Sequence, residues 1–537
     1  MSDTMNPAAD EPTTVDPKAR RSLAGAFFVS AGIFATKLFG IIRQSFIARY
    51  LGATHTADAF NAAIRIPNLL QNLFGEGALS ASFIPVYTRQ LAEGDEEEAG
   101  RVAGATIAIL ALVISVLVLL GVIFTPQLLP LIAPGFKDER RELAITYVRI
   151  FFPGTGILVL SAWCLGVLNS HRKFFLSYSA GVAWNVVIII ALVWFGPRQE
   201  LNTLARTAAW ASVVGAGAQF LVQLPTVLLL VKRLRVSLDW SRPSVRLVVR
   251  NFIPVGISRG VVQLSAFIDQ AISSYLPVGM VSLLMYATTI SYVPVSMFGI
   301  GISAAELPEM ASVLGSIEER ARQLRERLNA GLRYIAFFVI PSAAAMLASG
   351  DVMAAALFEH GRRFSHQNTV YTWAILAGSA VGLLASTMGR LYSSTYYALH
   401  DTKTPLKFAI VRVVLTSVLG YLFALPLPRA LGIDPHWGAA GLTVSFGIAG
   451  WIEFSLLRRG MNRRIGVTGL PLSLAGRLWT ASLLAGAVAF GLKMVLPAMS
   501  HVFVAALVLG AFGIVYLGAV TALRVPEAEI LLRRLRR

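Results

Sequence analysis

The sequence predicts an all-α polytopic membrane protein of about fourteen transmembrane helices, set as two pseudo-symmetric six-helix lobes followed by a C-terminal helix pair. Three observations predict it. Of 537 residues, 55% are hydrophobic and 14% charged, and mean hydropathy is +0.66, far outside the soluble globular range. Apolar segments of spanning length follow one another from Leu23 onward, with no polar linker longer than about 20 residues. Finally, "FGEGALSASFIP" at Phe74 to Pro85 is echoed by "FGIGISAAELP" at Phe298 to Pro308, and the longest basic loop, Lys232 to Arg250, falls between the copies.

Taken in order, residues 1–22 are polar and of mixed charge, without the basic start and short apolar core of a signal peptide, so they read as a cytoplasmic tail before a retained first span. Apolar runs at 23–50, 56–90, 101–131, 141–170, 175–196 and 202–231 make an N-lobe over 23–235. Those at 246–276, 280–312, 328–349, 369–399, 405–427 and 437–457 make a C-lobe over 236–465. Runs at 474–497 and 500–523 form the trailing pair within 466–523, and 524–537 is a basic cytoplasmic tail. With the N-terminus inside, the cytoplasmic loops carry "KARR", "HRK", "RARQLRER", "KTPLK", "RRGMNRR" and "RRLRR" as well as the central loop. That is about 29 Lys and Arg against about nine on the other side, the positive-inside pattern that puts both termini in the cytoplasm. The formal charge of +18 would suggest nucleic acid in a soluble chain. Here the bases sit in short loops between apolar segments, so anionic lipid and topology account for them and no nucleic-acid partner is expected.

Ionisable groups within spans are costly against lipid, so they should face a cavity or a partner. In "TADAFNAAIRIPNLLQNLFGEG", the polar residues Asp58, Asn61, Arg65, Asn68, Asn72 and Glu76 recur every three or four positions and stay within about 80° on a regular helix. A structural network gives one account of this stripe, with Asp58 against Arg65 and the asparagines satisfying backbone freed by Pro67; a wet cavity gives the other. A second stripe favours the cavity: Arg259, Gln263 and Gln270 share a face of the seventh span, with Asp269 at its margin, and the eighth span offers Thr288, Thr289 and Tyr292. Lys37 and Arg43 in the first span and Arg390 in the tenth add further bases, and Arg149 lies within the fourth. Lys37, Arg43, Arg65 and Arg259 outnumber Asp58 and Asp269, and a cationic cavity selects an anion, with Arg suited to phosphate.

Enzyme signatures are lacking, and no catalytic residue is assigned. The seven histidines are scattered without metal-ligand spacing, so no metal site is expected. A Gly-rich phosphate loop ending in Lys-Ser/Thr and a nucleophile turn of the G-x-S-x-G type are both missing. The single cysteine, Cys164, forms no disulfide within the chain and reads as a packing residue.

The stretch "LFGIIRQSFIARYLGATHTADAFNAAIRIPNLLQNLFGEGALSASFIPVY" resembles the opening of the MurJ (MviN) proteins, the lipid II flippases of the multidrug/oligosaccharidyl-lipid/polysaccharide exporter superfamily. "APGF" at Ala133, "FFPG" at Phe151, "LFEHGRRF" at Leu357 and "DTKTPLK" at Asp401 resemble the family's loop signatures in order, across spans one to twelve. The resemblance implies a two-lobed transporter in the bacterial cytoplasmic (inner) membrane. It would move lipid II, the undecaprenyl-pyrophosphate-linked peptidoglycan precursor, from inner to outer leaflet by alternating access, with the pyrophosphate in a central cationic cavity. Arg43 and Asp58 match the family's cavity residues in kind, Lys37 stands where members often carry Arg, and Arg390 falls at a basic position of the tenth span. This chain departs in the eighth span, where Thr288, Thr289 and Tyr292 before Pro294 replace an Asp-Arg pair and a Glu, and at Gln71, where some members have Arg. The expected substrate-binding set is therefore Lys37, Arg43, Asp58, Arg65, Arg259 and Arg390, with Arg259 taking over the vacant charge. Asn61, Asn68, Asn72, Glu76, Gln263, Gln270 and Thr289 would add secondary polar contacts. No cofactor is expected; the drive would come from the membrane potential or an unidentified ion. Lipid II, membrane lipids and cell-wall synthesis enzymes are the implied partners. The alternatives are a flippase for another lipid-linked oligosaccharide and a non-transporting scaffold of envelope assembly.

Overall fold

The computed structural model describes the backbone of residues 17–497 and 499–535; the side chains of residues 17–30, 76, 257–265 and 531–535 lie outside the described residues. The long helix α1 (Pro17–Leu51) ends at Gly52, whose φ of +65° turns the chain. The second span, expected as one helix over 56–90, is three: α2 (His55–Ala63), α3 (Arg65–Phe74) and α4 (Glu76–Ala92). Pro67 has no N–H for the Ala63 carbonyl and its ring crowds that oxygen, which interrupts the helix at Ile64. Gly75, extended at φ −81° and ψ −157°, interrupts it again.

Asp95 accepts from the Glu98 amide to start α5 (Glu96–Ile123), and α6 (Thr125–Ile132) precedes α7 (Asp138–Ser170). After these come α8 (Phe174–Ser179), α9 (Gly181–Phe195) and α10 (Leu201–Leu230). Beyond the basic connector lie α11 (Pro243–Ser274) and α12 (Met280–Pro294), then a π-helical turn at Val295–Ile300 and α13 (Gly301–Ala311). A reciprocal Ser316–Glu319 capping box opens α14 (Ile317–Phe358), and Ser365 caps α15 (His366–Ala398). The remaining helices are α16 (Lys403–Ala424), α17 (Pro426–Ala430), α18 (Gly438–Ile465), α19 (Leu472–Val495), α20 (His501–Ala522) and α21 (Pro526–Leu535). No strand occurs among the described residues, and eleven helical segments among them are long and apolar enough to cross a membrane. The two echoed motifs, Phe74 to Pro85 and Phe298 to Pro308, begin at the two interruptions, the α3–α4 break and the π-helical turn.

Two helices act as hubs. α7 touches α2, α3, α4, α5, α6, α8 and α10, whereas α15 touches α12, the π-helical turn, α13, α14, α16 and α18. Accordingly 83% of the most apolar window of α7 is buried, against 22% for α5 and 17% for the α16–α17 stretch, which leave their apolar side chains for lipid. α19 and α20 pack on each other and on α14. Cys164 is fully buried on α7 and forms no disulfide. At the start of α16, Asp401 accepts from the amides of Lys403 and Thr404, both at 3.0 Å, and from Arg464 at 2.6 Å. The Thr404 hydroxyl and amide, with Arg464, hold its carboxyl well below the usual carboxylate range.

The connector between α10 and α11 is strapped to the first turns of α5. Lys232 meets Glu96 at 3.3 Å, Arg233 and Arg235 each meet Glu97 at 3.6 Å, and Arg242 meets Glu98 at 2.6 Å. Exposed pairs of this kind contribute little singly; backbone packing fixes the strap's position. Gly100 and Gly104 present bare Cα atoms to it, and a Cβ would fall 2.3 Å from the Arg233 carbonyl oxygen and 2.0 Å from that of Arg235. Gly104→Leu is therefore expected to displace the strap at a cost of about 1–3 kcal/mol, read as a lowered melting temperature of the purified protein. An unchanged melt would show that the strap does not need this groove.

Candidate functional site

One end of the bundle is fastened by a carboxylate. Asp58, fully buried on α2, accepts from the amide of Gly279 at 2.7 Å and from the amide and hydroxyl of Ser282 at 2.9 and 2.8 Å. It thus caps the N-terminus of α12 from across the molecule, where free amides and the helix dipole favour an anion. Arg140 lies 3.9 Å away. Asn61 donates to the Ser282 hydroxyl at 3.2 Å, and the Tyr286 hydroxyl donates to the Gly52 carbonyl at 2.8 Å. The Gly135 amide adds a bond to the Ser274 hydroxyl at 2.8 Å. These contacts join the loop at 52–54 and α2 to the α11–α12 turn.

Immediately beyond this latch opens a cavity of about 1790 Å³, with Val281 and Leu284 of α12 in its wall. It runs between α11, α12, α13, α15, α16 and α18 to Arg390, Thr402 and Leu406, all exposed, at the other end of the bundle. One side of α15 lines it with Ser379, Ser386, Ser393, Ser394 and Tyr397, spaced at helical intervals. Among the described residues its charged groups are Arg65, Arg390 and Arg412 against Asp269 and Glu453. Arg412 donates to Glu453 at 3.1 Å and lies over the Phe446 ring at 5.7 Å. Among the described residues, Arg65 is the single lining residue from the first ten helices, and it reaches the Ala266 carbonyl at 3.4 Å.

The profile of the family described as "Lipid II flippase MurJ" matches residues 47–516. The chain belongs to the lipid II flippase MurJ family. It is 30% identical over 442 residues to a lipid II flippase MurJ of Burkholderia cenocepacia, covering 81% of this chain and 83% of that one. To a probable lipid II flippase MurJ of Rhizobium meliloti it is 31% identical, over 80% of this chain and 78% of the relative. In fold it matches a lipid II flippase MurJ solved in an inward closed conformation, with TM-score 0.75 and 22% identity over 95% of this chain and all of that one. An inward-facing multidrug transporter of the MATE family shares the fold at TM-score 0.63 and 18% identity, over 80% of this chain and 95% of that one. Membership of the MurJ family makes the chain a multi-pass membrane transporter rather than an enzyme.

The geometry divides the residues that periodicity, in-span charge and the MurJ resemblance had singled out. Arg65, Gln270 and Arg390 line the cavity, as do Asp269, Thr288 and Tyr292. Lys37 borders it, with Nζ 5.2 Å from the centre of the Tyr292 ring. Arg43 does not line it: α1 packs along α8 and α9, and the Arg43 guanidinium stacks on Trp184 at 4.4 Å with Nε lacking a partner. Asp58 and Asn61 belong to the latch, and the base beside Asp58 is Arg140, not Arg65. Half-buried Asn68 and exposed Asn72 share α3 with Arg65 but do not line the cavity. Thr289 turns its hydroxyl back to the Met285 carbonyl at 2.9 Å. Arg149 is exposed and donates to the Val122 carbonyl at 3.3 Å. The side chains of Glu76, Arg259 and Gln263 lie outside the described residues. Arg412 and Glu453 were missed in the sequence, although each is an ionisable residue within an apolar span, the signal that had singled out Arg390.

Removing the latch carboxylate in Asp58→Ala leaves the Gly279 and Ser282 amides unpaired, at an expected cost of about 3 kcal/mol. Faster hydrogen exchange at those two amides, with a lower melting temperature, checks this; unchanged protection would refute the capping role.

Proposed function

We propose that this chain translocates lipid II across the bacterial cytoplasmic (inner) membrane by alternating access, with the headgroup in the α11–α18 cavity. Family membership and the names of its relatives support the substrate, and the carrying observation is a large cavity, with charged groups set in a mainly apolar wall, latched at one end and reaching exposed residues at the other. In this reading the helices around α7 and those around α15 are the two lobes, residues 23–235 and 236–465. Both termini are cytoplasmic, as the distribution of Lys and Arg supports. The Asp58 latch then lies on the outer side, and the exposed end at Arg390 and Thr402 faces the cytoplasm.

Lipid II enters from that side with its polyprenyl tail in the bilayer. Its pyrophosphate meets Arg390 first, at the exposed end, and Arg65 deeper in the cavity, each a bidentate donor suited to phosphate oxygens. Arg412, already paired with Glu453, has less to offer an anion. Opening outward requires Asp58 to release the α12 N-terminus, which is affordable only if new contacts form elsewhere as the lobes rock. The membrane potential supplies about 2.3 kcal/mol per charge per 100 mV towards that exchange.

In a bacterium depleted of its own flippase, this chain is expected to restore exposure of the precursor on the outer leaflet. Arg65→Ala and Arg390→Ala should each reduce that exposure about tenfold or more at equal expression. Full exposure with both variants would show that neither guanidinium holds the pyrophosphate, and no exposure with the wild type would point to a different lipid-linked cargo or to a non-transporting scaffold.

A further inference from the structure

We propose that the latched end of the cavity carries a subsite for a secondary amide of the translocated headgroup, formed by the Gln270 carboxamide and the Asp269 carboxylate on α11. The inference rests on the flippase reading above. Gln270 lines the cavity at only 2% exposure, and its Nε2 has no hydrogen-bond partner among the described residues. Its chain neighbour Asp269 also lines the cavity, with Oδ1 likewise unpartnered among them. Buried polar groups are ordinarily satisfied, and leaving one unmade costs about 1–3 kcal/mol. Two adjacent unmet groups in one cavity wall therefore describe what is missing: an acceptor for Gln270 and a donor for Asp269.

Nearby polar groups are already committed. The Ser273 hydroxyl donates to the Gln270 carbonyl at 2.9 Å, and that of Thr443 to the Ala440 carbonyl at 2.9 Å. Arg412 spends Nη1 on Glu453 and keeps an unpartnered Nε, a second donor from the side of the cavity that acts electrostatically on Asp269. A phosphate has no proton to give Asp269 and would be repelled by it. A metal ion would face Arg65 and Arg412, the cations that act on Asp269, and no cluster of metal-ligating side chains occurs among the described residues. A secondary amide carries the required pair in one plane: its C=O accepts from Gln270 or Arg412 while its N–H donates to Asp269. Two parts of a glycopeptide headgroup own such a group, an acetamido substituent on a sugar and a peptide backbone unit.

Binding of three lipids to the full chain in nanodiscs tests this: polyprenyl diphosphate bearing one plain hydroxylated sugar, the same lipid with that sugar acetamido-substituted, and the lipid bearing acetamido sugar and peptide. The wild type is expected to bind an amide-bearing lipid about tenfold more tightly than the plain-sugar lipid, whose hydroxyls also donate and accept. Gain at the acetamido step identifies the acetamido group, and gain only at the peptide step identifies the backbone amide. Gln270→Leu should bring the ratio of affinities close to one, and Gln270→Asn, which withdraws the carboxamide by one carbon, should lower it too. Equal binding of all three lipids by the wild type would overturn the subsite and leave the flippase reading standing; binding of none would overturn that reading as well. A ratio unaltered in both variants would exclude Gln270.

Discussion

A single buried carboxylate organises this molecule. Asp58 lies in a region where water cannot solvate it, so it must collect donors from the protein, and it finds them at the uncapped start of α12. Because α2 and α12 belong to different helix groups, satisfying that one charge draws the two groups together at one end. The polar residues beside it, Asn61, Ser282 and Tyr286, complete a small network in which the hydrogen bonds run across the contact instead of within either group. A transporter needs such a contact to be strong when made and replaceable when broken. Hydrogen bonds to helix ends meet that need better than apolar packing, since water can take over each partner once the end opens.

The cavity follows the same rule of satisfaction with a different outcome. Charges within a bilayer protein are tolerable when paired, and Glu453 answers Arg412 in this way. Serine hydroxyls on the lining side of α15, such as Ser379 and Ser386, donate back to carbonyls of their own helix and keep lone pairs available to the cavity. Among the described residues the result is a chamber with three guanidinium groups against two carboxylates in a mainly apolar wall.

The hydrophobic arrangement around these polar elements is governed by the hubs. α7 and α15 bury most of their surface, and their small residues allow close neighbours: Gly382 of α15 meets Gly447 of α18 so tightly that a Cβ would fall 2.4 Å from the neighbouring Cα. Peripheral helices such as α5, α16 and α20 turn apolar side chains outward to lipid. The strap along Gly100 and Gly104 then holds the covalent link between the groups to the first of them.

The family was legible from the motifs shared with the MurJ proteins, and the all-α membrane architecture from hydropathy, which acts segment by segment and needs no knowledge of neighbours. The roles of Arg65, Gln270 and Arg390 as lining residues were legible for the same reason: an ionisable or amide group in an apolar span has few places to go. Which polar residues share a space was not legible. The stripe from Asp58 to Glu76 holds only for one regular helix, and Pro67 and Gly75 divide that helix into pieces that face different neighbours. Arg43 was assigned to the cavity by kind, but the packing of α1 on α9 turned it to Trp184. Periodicity fixes angles within one helix; only tertiary contacts decide what each face meets, and so it was the fold that made Asp58 a cap and Arg412 a wall of the chamber.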